Sequence, residues 1–481
     1  MSPRGDARLG PVLVRPALAA VLATVALAAA AGVASAHELV AREFTAPVPL
    51  ELLFVGSGAT VGLTALWLGV ADRTASARAA DATGRRVVTV PASLVGPLAA
   101  AARIAFLALF VGALAHGLLG RQVAAENLAT LVVWPLVLKG SGLLAVLVGS
   151  PWRVLSPWET LYDGLVALEG REIALAGSYP ERLGAWPAVV GFVLGVGVLE
   201  NLTVATRSPS LTVAVAAAYA VAMLAGSVAF GREWFARADA LTVLFDLLGR
   251  VAPLSARRTA DGSLAVAVRP PWRGVTRTLG GRSLVAFVVA AVYTVSFDGF
   301  TATGTYRSLL DFARETLGVG VASVALYVSG LLVFLVSFAL AAAVAERLGA
   351  GGSVAGVDRR AAATAFGATV LPIAAAYEVA HNYPFVATNL GATVAVARDL
   401  ALGVAGDPIR PLAALSVELF WLSQVALVVA GHLVAVVAAH RVATRRYGEG
   451  GAARRGHAPF VLVMVGYTVL SLWIVSRPLA A

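Results

Sequence analysis

The sequence predicts an all-α polytopic transmembrane bundle of about ten spans behind a cleavable signal peptide. Three observations predict it. Apolar residues make up 59 % of the 481 positions and charged residues only 13 %, about half the charged share of a soluble domain. Mean hydropathy is +0.83. The apolar residues fall in runs too long for barrel strands and without period-two alternation, which leaves helices as the spanning structure.

The N-terminus has the layout of a secretory signal. Arg4, Arg8 and Arg15 form a basic start, residues from about Pro16 to Val33 an apolar stretch, and Ala34-Ser35-Ala36 a small-residue cleavage pattern, so that a mature chain would begin at His37. Ten spans follow in a single transmembrane domain, 37–481, near 50–71, 97–119, 128–149, 186–206, 210–230, 283–299, 319–343, 361–381, 413–440 and 459–477, each judged against a hydrocarbon core of about 30 Å. With the mature N-terminus outside, the cytoplasmic segments 72–96, 150–185, 231–282, 344–360 and 441–458 hold 24 Lys and Arg, and the outside segments hold eight. That asymmetry orients a protein of the plasma (cytoplasmic) membrane.

Net charge is +10, and its distribution over loops argues for topology and against nucleic-acid binding. Segment 231–282 carries nine Arg; its 233–250 stretch has apolar residues at helical spacing and reads as an interfacial helix, followed by a strand-like run at 264–268. So basic a segment beside a bilayer favours anionic lipid. Trp152, Trp158 and Trp186 suit an interface belt, and His440 and His457 a solvated rim. Gly191 and Gly195 form a Gly-x-x-x-Gly packing signal.

The absence of Cys excludes thiolate metal sites, iron–sulfur clusters and thioether haem attachment. The only Lys, Lys139, lacks a phosphate-loop lead, so nucleotide chemistry has no footing. Titratable residues inside spans are costly and mark function. The topology puts His116, Glu200, Asp298, Glu378, His381 and Glu418 in the outer half of the bilayer, with His37 just outside it. Glu378 and His381 share a helix face at i, i+3, the spacing by which bundles present carboxylate and imidazole to one metal. With His116 and His37 as further ligands, and Asp298 or Glu418 as general base, the set fits a divalent metal, with zinc, copper, iron and manganese not distinguishable. Packing and rim solvation explain the same residues individually. Glu418 and His432, 14 residues apart on one face, could line a pathway with Lys139 and Glu200. Lys139 follows Pro135 and calls for an acid such as Glu200 or Asp298, since proline frees a carbonyl one turn earlier and an unpaired ammonium is costly.

The stretches Tyr179-Pro180-Glu181-Arg182-Leu183-Gly184, Phe230-Gly231-Arg232-Glu233, Ser296-Phe297-Asp298-Gly299, Ala380-His381 and Gly431-His432 resemble a family of actinobacterial and archaeal multi-pass membrane proteins often labelled fenitrothion hydrolase. The resemblance runs from about Tyr179 to the C-terminus, and the label implies organophosphate hydrolysis. Three functional classes stay open: an ion or metal transporter or permease, a membrane-embedded metal-dependent hydrolase, and a non-catalytic scaffold or assembly factor.

Overall fold

A computed structural model describes residues 49–79, 85–351, 359–404 and 406–476. The expected signal segment 1–36 and His37 lie outside the described residues. The chain is a helical bundle with one small sheet: α1 (Leu50–Ala79), β1 (Arg85–Val90), α2 (Ala92–Leu119), α3 (Leu128–Val148), α4 (Pro157–Glu169), α5 (Trp186–Glu200), α6 (Pro209–Phe230), α7 (Glu233–Ala238), α8 (Ala240–Leu248), β2 (Leu254–Arg258), β3 (Leu264–Val268), α9 (Arg282–Thr301), α10 (Gly304–Leu317), α11 (Val319–Gly349), α12 (Arg360–Leu402), α13 (Val417–Tyr447) and α14 (Gly451–Val475).

Among the described residues, nine helices are long and apolar enough to cross a membrane: α1, α2, α3, α6, α9, α11, α12, α13 and α14. The central three, α3, α9 and α12, are mostly buried by their neighbours, whereas α1, α2 and α11 expose most of their apolar surface. Leu63, Leu66, Ile104, Leu118, Leu332 and Val333 are each more than half exposed. In water such a girdle would drive aggregation; in a bilayer it is the lipid-facing surface.

Two expected spans change. The one at 186–206 is only the 15-residue α5, about 22 Å at 1.5 Å per residue and shorter than the hydrocarbon core. It stops where Thr203 caps the following 3₁₀ turn, Val204–Arg207, by accepting from the Ala205 N–H at 3.1 Å. The one at 361–381 does not end before an outside loop. Helix continues through Pro384 to Leu402, since one proline removes only one backbone donor.

One rim carries the turns 120–127 and 201–208, brought together around one cleft. The opposite rim carries the 149–185 and 231–281 segments and the joined ends of α11 and α13. Arg446 binds Glu346 through Nε and Nη2, both at 2.8 Å, and Tyr447 donates to the same carboxylate. Residues 233–250, read as one interfacial helix, form two helices broken at Asp239. That buried carboxylate caps α8 through the Leu241 N–H and also accepts from Trp158 (2.9 Å), Trp152 (3.4 Å), Tyr219 (2.6 Å) and Thr242 (2.7 Å). Trp152 and Trp158 are therefore interior donors and not an interface belt, while Trp186 is half exposed. The 264–268 run is a strand, and its outer partner is β1, giving an antiparallel sheet of order β1-β3-β2. His440 and His457 are buried, with ring centroids 5.1 Å apart, and are not solvated. Gly191 and Gly195 share no seam: a Cβ on Gly191 would touch Ala240, one on Gly195 nothing.

Asp163 on α4 binds Arg103 of α2 and Arg232, each at 2.5 Å. Beside it, burial first and the Asp163 charge second push the Glu159 carboxyl up to about 6, against the pull of Arg103 and Arg232. An acid with a raised folded pKa holds its proton more tightly when folded, so its stabilising contribution is complete below the unfolded value of 4.5 and is lost as pH rises through 6. Glu159→Gln is expected to raise stability above pH 6 by on the order of 1 kcal/mol, given partial solvent screening, and to leave it unchanged well below pH 4.5. Thermal unfolding of both proteins across that range checks the sign.

Candidate functional site

The site is built on two helices that change their hydrogen-bond register. In α3 the segment Val133–Gly140 is π-helical, and in α5 so is Val193–Glu200. Such i→i+5 turns are rare and collect at functional sites. In α3 the cause is legible: Pro135 has no N–H to give to the carbonyl of Leu131. The Thr393 hydroxyl of α12 donates to that carbonyl at 3.4 Å. In α5 the Asn201 amide donates to the Val196 carbonyl at 2.8 Å, closing the end of the second π segment. Each π segment carries a charged side chain in its last turn, Lys139 in one and Glu200 in the other.

Those two side chains meet. Lys139 Nζ lies 3.0 Å from Glu200 Oε1, and both residues are 4 % exposed. Around the pair stand two more carboxylates, Glu378 of α12 and Asp298 of α9, both close enough to act on the Lys139 charge. Glu378 packs against α3 at Gly142, where a Cβ would stand 3.5 Å from its Oε1. Asp298 Oδ2 lies 3.3 Å from His381 Nε2. The Tyr377 ring stacks on His381 at 5.9 Å, and its hydroxyl occupies space that any Cβ at position 299 would fill, so Gly299 is needed there.

Lys139, Glu200, Asp298, Glu378 and His381 thus share one centre between α3, α5, α9 and α12. The charge count is lopsided. Three carboxylates against one ammonium leave two negative charges; an imidazolium at His381 would offset one. In a poorly solvated interior the remainder calls for a proton or a bound cation.

Two cavities flank the ion pair. On one side, Lys139, Asn201, Thr294 and Glu378 line a small cavity with Leu138 and Phe192. On the other, a cleft opens towards the 120–127 turn, with Glu200 in its wall beside Thr130, Trp134, Thr206, Arg207 and Asn389. Lys139 faces the first and Glu200 the second, so their contact lies in the partition.

The other sequence candidates are elsewhere. His116 closes a turn: its Nδ1 accepts the Leu128 N–H at 3.1 Å and its carbonyl accepts from Asn127 at 3.1 Å, so that nitrogen is not available to a metal. Glu418 is exposed in the first turn of α13, after the Ser416 cap, because the helix starts later than the apolar run suggests. His432 is buried, with Nδ1 2.8 Å from the Val428 carbonyl and its ring 5.8 Å from Tyr467. Tyr467 in turn contacts Ser296 and donates to the Val292 carbonyl. Glu418 and His432 therefore form no continuous stripe. Among the described residues, no group of three or more His, Cys, Asp or Glu is arranged to hold a metal ion. Sequence reasoning missed Asn201, Tyr377 and Thr393, and only the lost hydrogen bond at Pro135 pointed towards the last.

No family model matches this chain, and neither a curated protein nor a solved structure is significantly similar to it.

The ion pair predicts a double-mutant signature. Lys139→Met leaves a buried carboxylate without its partner and should cost about 3–5 kcal/mol, whereas Lys139→Met with Glu200→Gln should regain most of that loss. Thermal unfolding of the two variants beside wild type measures the coupling.

Proposed function

We propose that this chain is a multi-pass membrane carrier that moves a proton or a small cation through the Lys139 centre. One observation carries the reading: a surplus of carboxylates is buried around a single lysine, between two cavities that the Lys139–Glu200 contact separates. Buried carboxylates of this kind form the proton and ion relays of pumps and transporters, and the His381 imidazole stands 3.3 Å from Asp298. Glu200, Lys139, Asp298, Glu378 and His381 are the working residues. Glu418, His116 and His432 stand outside them. From the basic-residue asymmetry we assign the Arg-rich rim to the cytoplasm, against anionic lipid of the plasma membrane, and the Glu200 cleft to the outside.

The Asp298–His381 contact favours a second reading, the hydrolase that the fenitrothion hydrolase resemblance implies. There, Asp298 and His381, 3.3 Å apart, would supply two ligands to a divalent metal that activates water. Hydrolysis of an aryl phosphorothioate ester by purified protein, with and without added zinc, separates the two.

The carrier reading is tested by reconstitution. Proteoliposomes with an internal pH dye should dissipate an imposed pH or sodium gradient faster than empty vesicles. Glu378→Gln should slow that flux at least about tenfold, and Glu418→Gln should leave it unchanged. Equal rates for wild type and empty vesicles would end this reading.

A further inference from the structure

The cleft beside Glu200 has a volume of about 140 Å³, room for about four waters at ~30 Å³ each. Lys139 occupies only one oxygen of Glu200, the Oε1. The other, Oε2, is buried and has no hydrogen-bond partner, and the same holds for the Thr206 hydroxyl oxygen. Both residues line the cleft. The remaining polar groups there are committed in part: the Thr130 hydroxyl donates to the Ala124 carbonyl at 2.6 Å, the Trp134 indole to Thr212 at 2.9 Å, and the Asn389 amide nitrogen to the Phe385 carbonyl at 2.8 Å. Asn389 keeps its amide oxygen as an acceptor. The cleft is thus rich in hard oxygen acceptors, two of them without a partner. A carboxylate oxygen held out of water without a partner is costly, and a cation in the cleft relieves that cost.

We infer that the cleft is a binding site for a small monovalent cation, liganded by Glu200 Oε2 and Thr206 Oγ1 with the Asn389 amide oxygen beside them. This rests on the carrier reading and names its cargo and entry point. The charge count sets the valence. Lys139 already neutralises part of Glu200, and Arg207 stands in the cleft wall, so a second positive charge on the ion would meet repulsion from two sides. The all-oxygen donor set suits alkali cations and offers nothing soft to copper or zinc. Entry of the ion places it on the far side of Glu200 from Lys139, where it competes for the carboxylate and loosens the partition between the two cavities.

The test uses the full chain in detergent, with sodium as the probe. Thermal stability is titrated with sodium chloride against N-methylglucamine chloride at equal ionic strength, then repeated with potassium and magnesium. The expected result is a saturable rise with sodium that N-methylglucamine does not produce and that magnesium does not exceed. Thr206→Val should raise the half-saturating sodium concentration about tenfold, and Glu200→Gln should abolish the rise. If Glu200→Gln does not fold, Thr206→Val carries the test, since valine keeps the shape. No sodium-specific rise in wild type, or an unchanged titration in Thr206→Val, overturns the site. Flux separates this inference from the reading beneath it. Sodium-dependent stabilisation without flux would refute the carrier and keep the site. Proton flux without sodium stabilisation would do the reverse.

Discussion

The rest of the centre depends on one contact, the buried ion pair between Lys139 and Glu200. A lone ammonium between apolar helices is costly, and so is a lone carboxylate; together they are tolerable only in close contact. That requirement explains the local backbone. Ordinary α-helical register continues a helix without change, whereas both α3 and α5 widen to π turns in the segments that carry these two side chains. Pro135 supplies the break in α3, and Thr393 on α12 covers the carbonyl it leaves. α12 is thereby tied to α3 at Thr393, fifteen residues along the helix from Glu378. Backbone irregularity, side-chain pairing and helix packing are one arrangement here.

The pair also sets the electrostatics of its neighbours. Glu378 and Asp298 are held near a single positive charge that Glu200 has already engaged. They compete for what remains of it. His381 contacts Asp298, so an imidazole borders the same carboxylates. Three carboxylates to one ammonium set the centre apart from a one-to-one buried salt bridge.

Much of this was legible in the sequence, for reasons that differ by residue. The spans were legible because apolar length is itself the physical requirement for crossing a bilayer. The pairing of Lys139 with Glu200 was legible because a mid-span lysine must find an acid. The proximity of Glu378, Asp298 and His381 followed from depth. His116 misled because depth does not fix direction: its ring turns to the Leu128 N–H and caps the next helix. Glu418 misled because the apolar run extends beyond the helix that uses it. His440 and His457 were read as solvated from their place at the cytoplasmic rim, whereas they are buried and pack against each other. The cleft at Glu200 could not be read at all, since it joins residues of α3, α5, α12 and the 3₁₀ turn that share no spacing. The β1 strand was hidden in a polar loop because its partner lies far along the chain.

Lys139 is the only lysine, so nitrogen-15 lysine labelling places one side-chain signal in the whole protein. Solid-state NMR in lipid nanodiscs, with glutamate carboxyls labelled in carbon-13, reads its charge state and its neighbours directly. The account predicts one ammonium resonance with a strong dipolar contact to a glutamate carboxyl, lost in Glu200→Gln. A neutral amine resonance, or an ammonium without that contact in wild type, would contradict it.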